Sequence, residues 1–229
     1  MRDIVYFVKD AFANEELRYS LRSVERNLPH RKVWFYGGCP AGILPDEHVA
    51  INQTGANKWA KVRNMIRQAC ENEDITKEFY LFNDDFYVMQ PTEEIPPMYD
   101  RTIYHHIVEI EDRHDTLSTN YSRQLRDMAR QLRKAGYGDL NYAIHVPIPI
   151  DRKKAIETLD KFPNCPMFRA LYGNMHGIGG IDRRDVKIIR QGQRFDREAD
   201  LLSTSDKTFE SSAGSFIRET FPEKSRFET

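Results

Sequence analysis

Two adjacent carboxylates, Asp84 and Asp85, follow Asn83 at the end of the aromatic and apolar run 79–82 (FYLF). Such a run predicts a buried strand, and two carboxylates at the end of a core strand are costly unless a positive charge offsets them. Mg²⁺ and Mn²⁺ prefer oxygen ligands, and substrate phosphates often complete their sites. An ordinary turn is the alternative, since Asn and Asp favour turns. We predict that Asp84 and Asp85 hold Mg²⁺ or Mn²⁺.

The segments around this triplet predict a mainly parallel α/β sheet. In chain order they are a strand at 4–8, a helix capped by Asn14, a strand at 33–36, a helix from about 58 to 72, and the strand at 79–82. Strands that alternate with helices favour parallel pairing, and ligands of such sheets bind outside the carboxyl ends of the strands. Asp10, the Gly37-Gly38 pair and the acidic triplet lie at such ends, so we expect them to meet at one cleft.

The second half of the chain is more irregular in pattern. The predicted elements are a strand at 103–110, a helix at 122–134, an extended segment at 143–150, a helix capped by Asp151, a glycine-rich loop at 173–180 and a short helix near 212–221. The extended segment is predicted because Pro147 and Pro149 are incompatible with a helix interior. We expect one domain, in which residues 1–95 bind a nucleotide-sugar and residues 96–229 complete the site.

Several basic residues are candidates for binding phosphate. Arg18 and Arg22 lie one helical turn apart and could approach a diphosphate, or they could form a solvated helix face. Lys58 follows residues 55–57 (GAN) at a predicted helix start, where backbone N–H groups also favour phosphate; an exposed lysine is the equal alternative. Basic residues at 123–133 and 183–197 leave open a polyanionic acceptor such as DNA, bound mainly through its phosphates.

The composition is that of a folded protein. The 229 residues are 40% hydrophobic and 30% charged, which suits one domain with a sizeable core. The net charge of -1 argues against a protein that coats polyanions with its whole surface. Three widely spaced cysteines, Cys39, Cys70 and Cys165, predict free thiols in a reducing compartment. No signal peptide or membrane span is evident, so we expect a cytoplasmic protein.

Two stretches of the first half resemble the Stealth family of capsular-polysaccharide hexose-1-phosphate transferases and its small phage and bacterial relatives. They are 16–25 (ELRYSLRSVE), preceded by a strand that begins at Asp3, and 79–86 (FYLFNDDF). The second is also similar to the D-x-D-like motif of sugar-nucleotide transferases, in which a metal bridges the diphosphate. The likeness covers roughly the first 95 residues well. It implies a Rossmann-like, glycosyltransferase-A-type fold and a nucleotide-sugar donor.

A weaker similarity extends into the second half. It implies that His145 and Arg169 match the family's catalytic histidine and arginine, and that Asp206 matches its last acidic motif. His145 would then be the general base and Arg169 would stabilise phosphate, although a structural histidine and a simple salt bridge are the alternatives from the residues alone. Ser205 stands where the family usually has an acid, and its longer acceptor-binding insertions are missing. The resemblance therefore implies the donor more than the acceptor.

These observations predict a metal-dependent glycosyltransferase that moves a sugar from a nucleotide-sugar to a hydroxyl of a glycan, a protein or a modified DNA base. Asp10, Arg18, Arg22, Lys58 and Asn83 are the predicted donor-binding residues. Transfer of sugar-1-phosphate, as in Stealth enzymes, is the first alternative. A non-catalytic module that binds nucleotide or nucleic acid is the second.

Overall fold

The computed structural model describes residues 1–52, 58–114, 120–164 and 167–229. The strands are β1 (Asp3–Val8), β2 (Val33–Gly37), β3 (Glu47–Val49), β4 (Glu78–Phe82), β5 (Phe86–Val88), β6 (Met98–Tyr99), β7 (Ile148–Asp151), β8 (Ile181–Asp182) and β9 (Leu201–Ser203). The helices are α1 (Glu15–Asn27), α2 (Lys58–Glu71), α3 (Ile103–His114), α4 (Asn120–Lys134), α5 (Arg152–Lys161), α6 (Phe168–Met175), α7 (Asp206–Phe209) and α8 (Ser212–Thr220). Residues 55–57 and Cys165, both considered above, lie outside the described residues.

The central sheet has five strands in the order β3-β2-β1-β4-β7. The pairs β1–β2, β1–β4 and β2–β3 are parallel, whereas β7 is antiparallel to β4. Tyr6 of β1 lies opposite Phe35 of β2 and Phe82 of β4, and all three are fully buried. The prediction of an α/β fold with a mainly parallel sheet is therefore confirmed. The short edge strand β3 was not predicted.

The helix α1 follows the pattern of its sequence. Leu17, Leu21 and Val24 are fully buried against the sheet, as their helical spacing predicts. The Asn14 side chain accepts a hydrogen bond from the Leu17 N–H at 2.9 Å, which satisfies one of the free donors at the helix start. Asp151 caps α5 in the same way through Lys154, so both predicted caps are confirmed.

The segment 103–110 is helical, and its prediction as a strand was wrong. Ile103, Ile107 and Ile110 recur at intervals of four and three residues, so a helix places them on one face. That face is buried in a cluster with the apolar stripe of α4, whose members Leu125, Met128 and Leu132 are fully buried. Helical packing therefore overrides the apparent strand pattern of IYHHIVEI.

The predicted glycine-rich loop at 173–180 begins later than expected. Gly173 lies inside α6, where a Cβ would come within 2.3 Å of the Tyr142 ring, so the glycine permits close packing. Only the end of the segment is a loop, with positive φ angles at Gly177, Gly179 and Gly180. Likewise, the predicted extended segment 143–150 forms a strand only from Ile148 onward.

Two small pairings connect the second half of the chain to the acidic triplet. Strand β5, directly after Asp85, pairs antiparallel with β9, so that Phe86 lies opposite Ser203. Lys187 in turn forms a parallel bridge with Ser203, and the Ile188 N–H donates to the Ser203 carbonyl at 2.8 Å. Residues 185–188 and 203–206 are thereby placed beside residues 83–86. Across the described ranges, each helix is too short or too polar to cross a bilayer.

Candidate functional site

A cleft of about 1690 Å³ opens at the carboxyl ends of β1 and β4. Its lining includes Lys9, directly after β1, and the acidic triplet after β4. Seven predicted site residues line this cleft: Lys58, Asn83, Asp84, Asp85, His145, Arg169 and Asp206. Residues far apart in the sequence therefore converge at the sheet edge where ligands of parallel sheets bind.

Asp85 forms an ion pair with Lys187, and both residues line this cleft. The Lys187 ammonium donates to Asp85 Oδ2, and the two side chains are only 13% and 18% exposed. Asp85 Oδ1 is closed to solvent and has no hydrogen-bond partner among the described residues. A buried acceptor left without a partner costs about 1–3 kcal/mol, so this oxygen is a site where a cation would be stabilised.

Asp84 contacts the start of α1. Its Oδ2 accepts a hydrogen bond from Asn14 Nδ2 at 2.7 Å, while the other end of the Asn14 amide caps the helix. Burial, and then the charge of Asp85, raise the pKa of Asp84 above its ordinary value. The structure therefore holds two adjacent carboxylates, of which Asp85 is paired with Lys187 and Asp84 accepts a hydrogen bond from Asn14.

Glu16, in the first turn of α1, adds a third carboxyl group to this region. Its Oε1 accepts a hydrogen bond from Thr204 Oγ1 at 2.6 Å. The pKa of Glu16 is raised to about 7: burial is the largest cause, the negative charges of Asp85, Asp84 and Asp206 add to it, and the Thr204 hydrogen bond opposes it. Glu16 thus titrates near neutral pH, and a cation close to Asp85 would favour its ionised form.

His145 and Asp185 form a hydrogen-bonded pair in the wall of the cleft. His145 Nδ1 lies 2.7 Å from Asp185 Oδ2, and the His145 backbone N–H donates to Asp185 Oδ1 at 3.0 Å. Burial opposes ionisation of Asp185, but the hydrogen bonds and charge of His145 outweigh it and lower the pKa of this carboxyl. The carboxylate therefore fixes the ring by Nδ1, while the His145 side chain remains 41% exposed.

Arg169 holds the backbone of the segment that carries His145. Its Nη1 donates to the Ile144 carbonyl at 2.8 Å and to the Val146 carbonyl at 2.6 Å, and its guanidinium lies over the Phe86 ring at 5.2 Å. Burial lowers its pKa to about 10, although the charges of Asp85 and Asp185 oppose this change. Arg169 is thus a cation at neutral pH that both lines the cleft and positions the histidine.

The remaining predicted site residues, the donor-binding set and Asp206, divide into two groups. Asn83, Lys58 and Asp206 line the cleft with exposed side chains, and Asp206 begins the short helix α7. Among the residues that the structure describes, Asp10, Arg18 and Arg22 do not line it.

Arg18 and Arg22 are instead engaged with the C-terminal tail. Arg22 Nε donates to Glu228 Oε1 at 2.7 Å, and Arg18 Nη1 donates to Glu228 Oε2 at 3.1 Å. Arg22 Nη1 also donates to the Phe221 carbonyl. Both arginines therefore form an intramolecular ion pair with Glu228 and lie outside the cleft lining, and their approach to a diphosphate stays a prediction.

The carboxylates fit a hard divalent cation only if a substrate supplies further oxygens. In the described part of the chain, no group of three or more His, Cys, Asp or Glu residues is arranged to hold a metal by itself. Asp84 and Asp85 provide two carboxylates, and Asp85 Oδ1 has no other partner within the same residues. Two carboxylates with substrate phosphates are a common arrangement for Mg²⁺, so the residues fit the predicted metal in that form.

Four residues of the site were not predicted from the sequence to act there: Asn14, Glu16, Asp185 and Lys187. Asn14 was assigned only as a helix cap, and Glu16 appeared only within the stretch 16–25. The contact of Asn14 with Asp84 depends on a tertiary crossing. Lys187 lies in the basic segment 183–197, which was considered only for binding a polyanionic acceptor, and Asp185 lies 40 residues from its histidine. Nothing in local spacing could have indicated either pair.

Comparisons with known proteins leave the family open. A scan against protein-family models finds none that matches the chain, and a search of curated proteins finds no similar sequence. The resemblance of residues 16–25 and 79–86 to the Stealth family therefore stays a prediction.

Proposed function

We propose that this chain is a metal-dependent glycosyltransferase, related to the Stealth family and of the glycosyltransferase-A type, that uses a nucleotide-sugar donor and a hydroxyl acceptor. The observation that carries the proposal is the position of the His145–Asp185 pair in the same cleft as Asp84 and Asp85. A general base and a diphosphate-binding carboxylate pair are the two parts that this transfer needs.

The base is formed by His145 with Asp185 behind it. Asp185 accepts a hydrogen bond from Nδ1, so the neutral ring keeps its proton on that nitrogen and leaves Nε2 as the acceptor. Nε2 would take the proton of the acceptor hydroxyl as it attacks the donor. The negative charge of Asp185 then stabilises the imidazolium that forms, as in other base–carboxylate pairs.

The donor end of the site is assigned to the acidic pair and the nearby cations. Asp84 and Asp85 would hold Mg²⁺ or Mn²⁺, which supplies charge neutralisation for a leaving diphosphate. Arg169 and Lys58 add positive charge to the cleft, and the guanidinium suits phosphate oxygens. Asn83 would donate its amide to the donor.

A thermal-shift screen of nucleotide-sugars with and without Mn²⁺ tests this proposal. Binding of the right donor to the folded state at 100 times its Kd stabilises by about 2.7 kcal/mol, or roughly 5–10 °C for a chain of this size. We expect a Mn²⁺-dependent shift with one donor, lost in Asp85→Asn. Asp127→Asn, an exposed carboxylate on α4 outside the cleft lining, is the matched control and should retain the shift.

The outcomes separate the candidate functions. If no donor shifts the melting temperature, the donor site is absent and the binding-module hypothesis gains support. If a donor shifts the wild type and Asp85→Asn alike, the donor binds without a metal held by Asp85, and the metal-dependent proposal fails. Once a donor is found, the mass of the product distinguishes the two chemistries, because sugar-phosphate transfer adds phosphorus to the acceptor and glycosyl transfer does not.

A further inference from the structure

Lys187 forms an ion pair with Asp85, one of the two carboxylates assigned to the metal. Its ammonium is paired with Asp85 Oδ2, and Asp85 Oδ1 is closed to solvent without a partner in the described ranges. Both oxygens of Asp85 are therefore inaccessible to a cation in this arrangement. A divalent ion could bind Asp85 only if the Lys187 side chain moved away.

The backbone of Lys187 is held by hydrogen bonds while its side chain lines the cleft. The Lys187 N–H donates to Asp185 Oδ1 at 3.2 Å, the residue bridges to Ser203, and the next residue, Ile188, is buried. The long side chain extends from this fixed point into the lining of the cleft. Rotations about its four methylene groups can carry the ammonium to another anion in the cleft without moving the backbone.

We propose that Lys187 is a gate on the metal site, which it releases when a diphosphate binds. Without substrate, the ammonium neutralises Asp85 and excludes a divalent ion. A bound diphosphate offers the ammonium a new partner, so metal and diphosphate each increase the affinity for the other. The identity of the diphosphate as a nucleotide-sugar rests on the function proposed above, but competition between Lys187 and the metal does not.

Titration with Mn²⁺ alone, followed by the electron paramagnetic resonance of the free ion, tests the gate. If Lys187 covers Asp85 more than nine-tenths of the time, the apparent Kd of the wild type is raised at least tenfold. We therefore expect Lys187→Met to bind Mn²⁺ at least ten times more tightly than the wild type does. Lys187→Arg, which keeps the cation, should bind Mn²⁺ as weakly as the wild type.

Two further variants make the result specific. Lys61→Met removes another cation that lines the same cleft but has no contact with Asp85 among those described, so it should leave Mn²⁺ affinity nearly unchanged. Adding Asp85→Asn to Lys187→Met should abolish the gain. If Lys187→Met does not fold, Lys187→Gln takes its place, since its neutral amide can still donate to Asp85.

Equal Mn²⁺ affinities in the wild type and Lys187→Met, or Lys187→Gln where it takes its place, would overturn the gate, as would the same gain in Lys61→Met. Because this titration contains no donor, its result is independent of the nucleotide-sugar screen. A gate can therefore be found where the glycosyltransferase proposal fails, and the proposal can hold where the gate fails.

Discussion

At the scale of single residues, some side chains of the site act by positioning a neighbouring side chain. His145 is fixed by Asp185 through both its ring and its backbone N–H. Replacing Asp185 with Asn removes the charge that stabilises the imidazolium and allows the wrong tautomer. We expect Asp185→Asn to lower kcat by on the order of 100-fold or more, with little change in donor binding.

Measuring both kcat and donor binding distinguishes support of the base by Asp185 from a purely structural role. His145→Gln should lose transfer entirely yet show the same donor-induced thermal shift as the wild type. Asp182→Asn, an exposed carboxylate on β8 outside the lining of the cleft, serves as the control for Asp185. If Asp185→Asn weakened donor binding and kcat equally, Asp185 would be a binding residue and not a partner of the base.

Glu16 predicts a pH dependence of stability. Its pKa rises from 4.5 in the unfolded chain to about 7 in the folded protein, so its contribution to stability is complete below pH 4.5 and is lost as pH rises through 7. Glu16→Gln keeps an oxygen for Thr204 and removes the charge. Allowing for partial exposure, we expect a gain of about 2 kcal/mol in unfolding free energy at pH 8.

Urea denaturation in EDTA at pH 4.5 and pH 8 measures this effect without bound metal. The gain should nearly vanish at pH 4.5, where Glu16 is protonated in the folded protein and half protonated in the unfolded chain. Its neighbour Glu15 is the matched control, because the hydrogen bond from Arg218 lowers the pKa of Glu15 and Glu15→Gln should give no gain at pH 8. A Glu16→Gln variant with wild-type stability at both pH values would contradict the prediction.

At the scale of elements, the start of α1 positions the acidic pair. Asn14 uses the two ends of one amide, accepting from the Leu17 N–H and donating to Asp84. Asp is an equally good helix cap, but it cannot donate and would face the Asp84 carboxylate. We expect Asn14→Asp to lower the unfolding free energy at pH 7 by about 2 kcal/mol, the scale of a hydrogen bond to a charged group.

The other capped helix provides the control for this prediction. Asp151→Asn at α5 makes the reverse exchange at a cap whose side chain accepts from the Lys154 N–H, so it should change stability by no more than about 0.5 kcal/mol. Urea denaturation of both variants gives the comparison. Equal effects at the two caps would mean that the contact with Asp84 contributes nothing.

The elements also indicate how far local pattern determines this fold. Apart from the short edge strand β3, the strands and helices up to Phe82 could be predicted, because their apolar periodicity and the Asn14 cap are local signals. The helix at 103–114 could not, because its four- and three-residue spacing of isoleucines was masked by a run of strand-forming residues. Gly173 was taken for a loop because only the Tyr142 ring, 31 positions away, explains a glycine inside a helix.

At the scale of the molecule, the cleft is built from both halves of the chain. Residues 83–85 follow a strand of the first half, whereas His145, Arg169 and Lys187 come from three segments of the second half. The first set was predictable, since carboxylates after a buried strand are visible in the sequence. The pairs His145–Asp185 and Asp85–Lys187 were not, because they depend on β9 and the adjoining chain lying beside β5.

The C-terminal tail is held against α1 through a buried carboxylate, Glu228. The Glu228 side chain is fully buried, and it accepts hydrogen bonds from Arg18, Arg22 and the Ser225 N–H. Burial opposes its ionisation, but these partners outweigh burial and lower its pKa from 4.5 to about 2. Its contribution to stability is therefore present above pH 4.5 and is lost as pH falls through 2.

Glu228→Gln tests this ion pair between the C-terminal tail and α1. Leaving Arg22 without its buried partner should lower the unfolding free energy by about 3 kcal/mol at pH 7. The deficit should shrink as pH falls from 4.5 towards 2, because the wild-type carboxylate is then protonated as well. Urea denaturation at pH 7 and pH 3 measures both values. The control is Glu223→Gln, because Glu223 is an exposed residue of the same tail, and this variant should be as stable as the wild type. If the deficit in Glu228→Gln did not depend on pH, the loss would come from packing and not from charge.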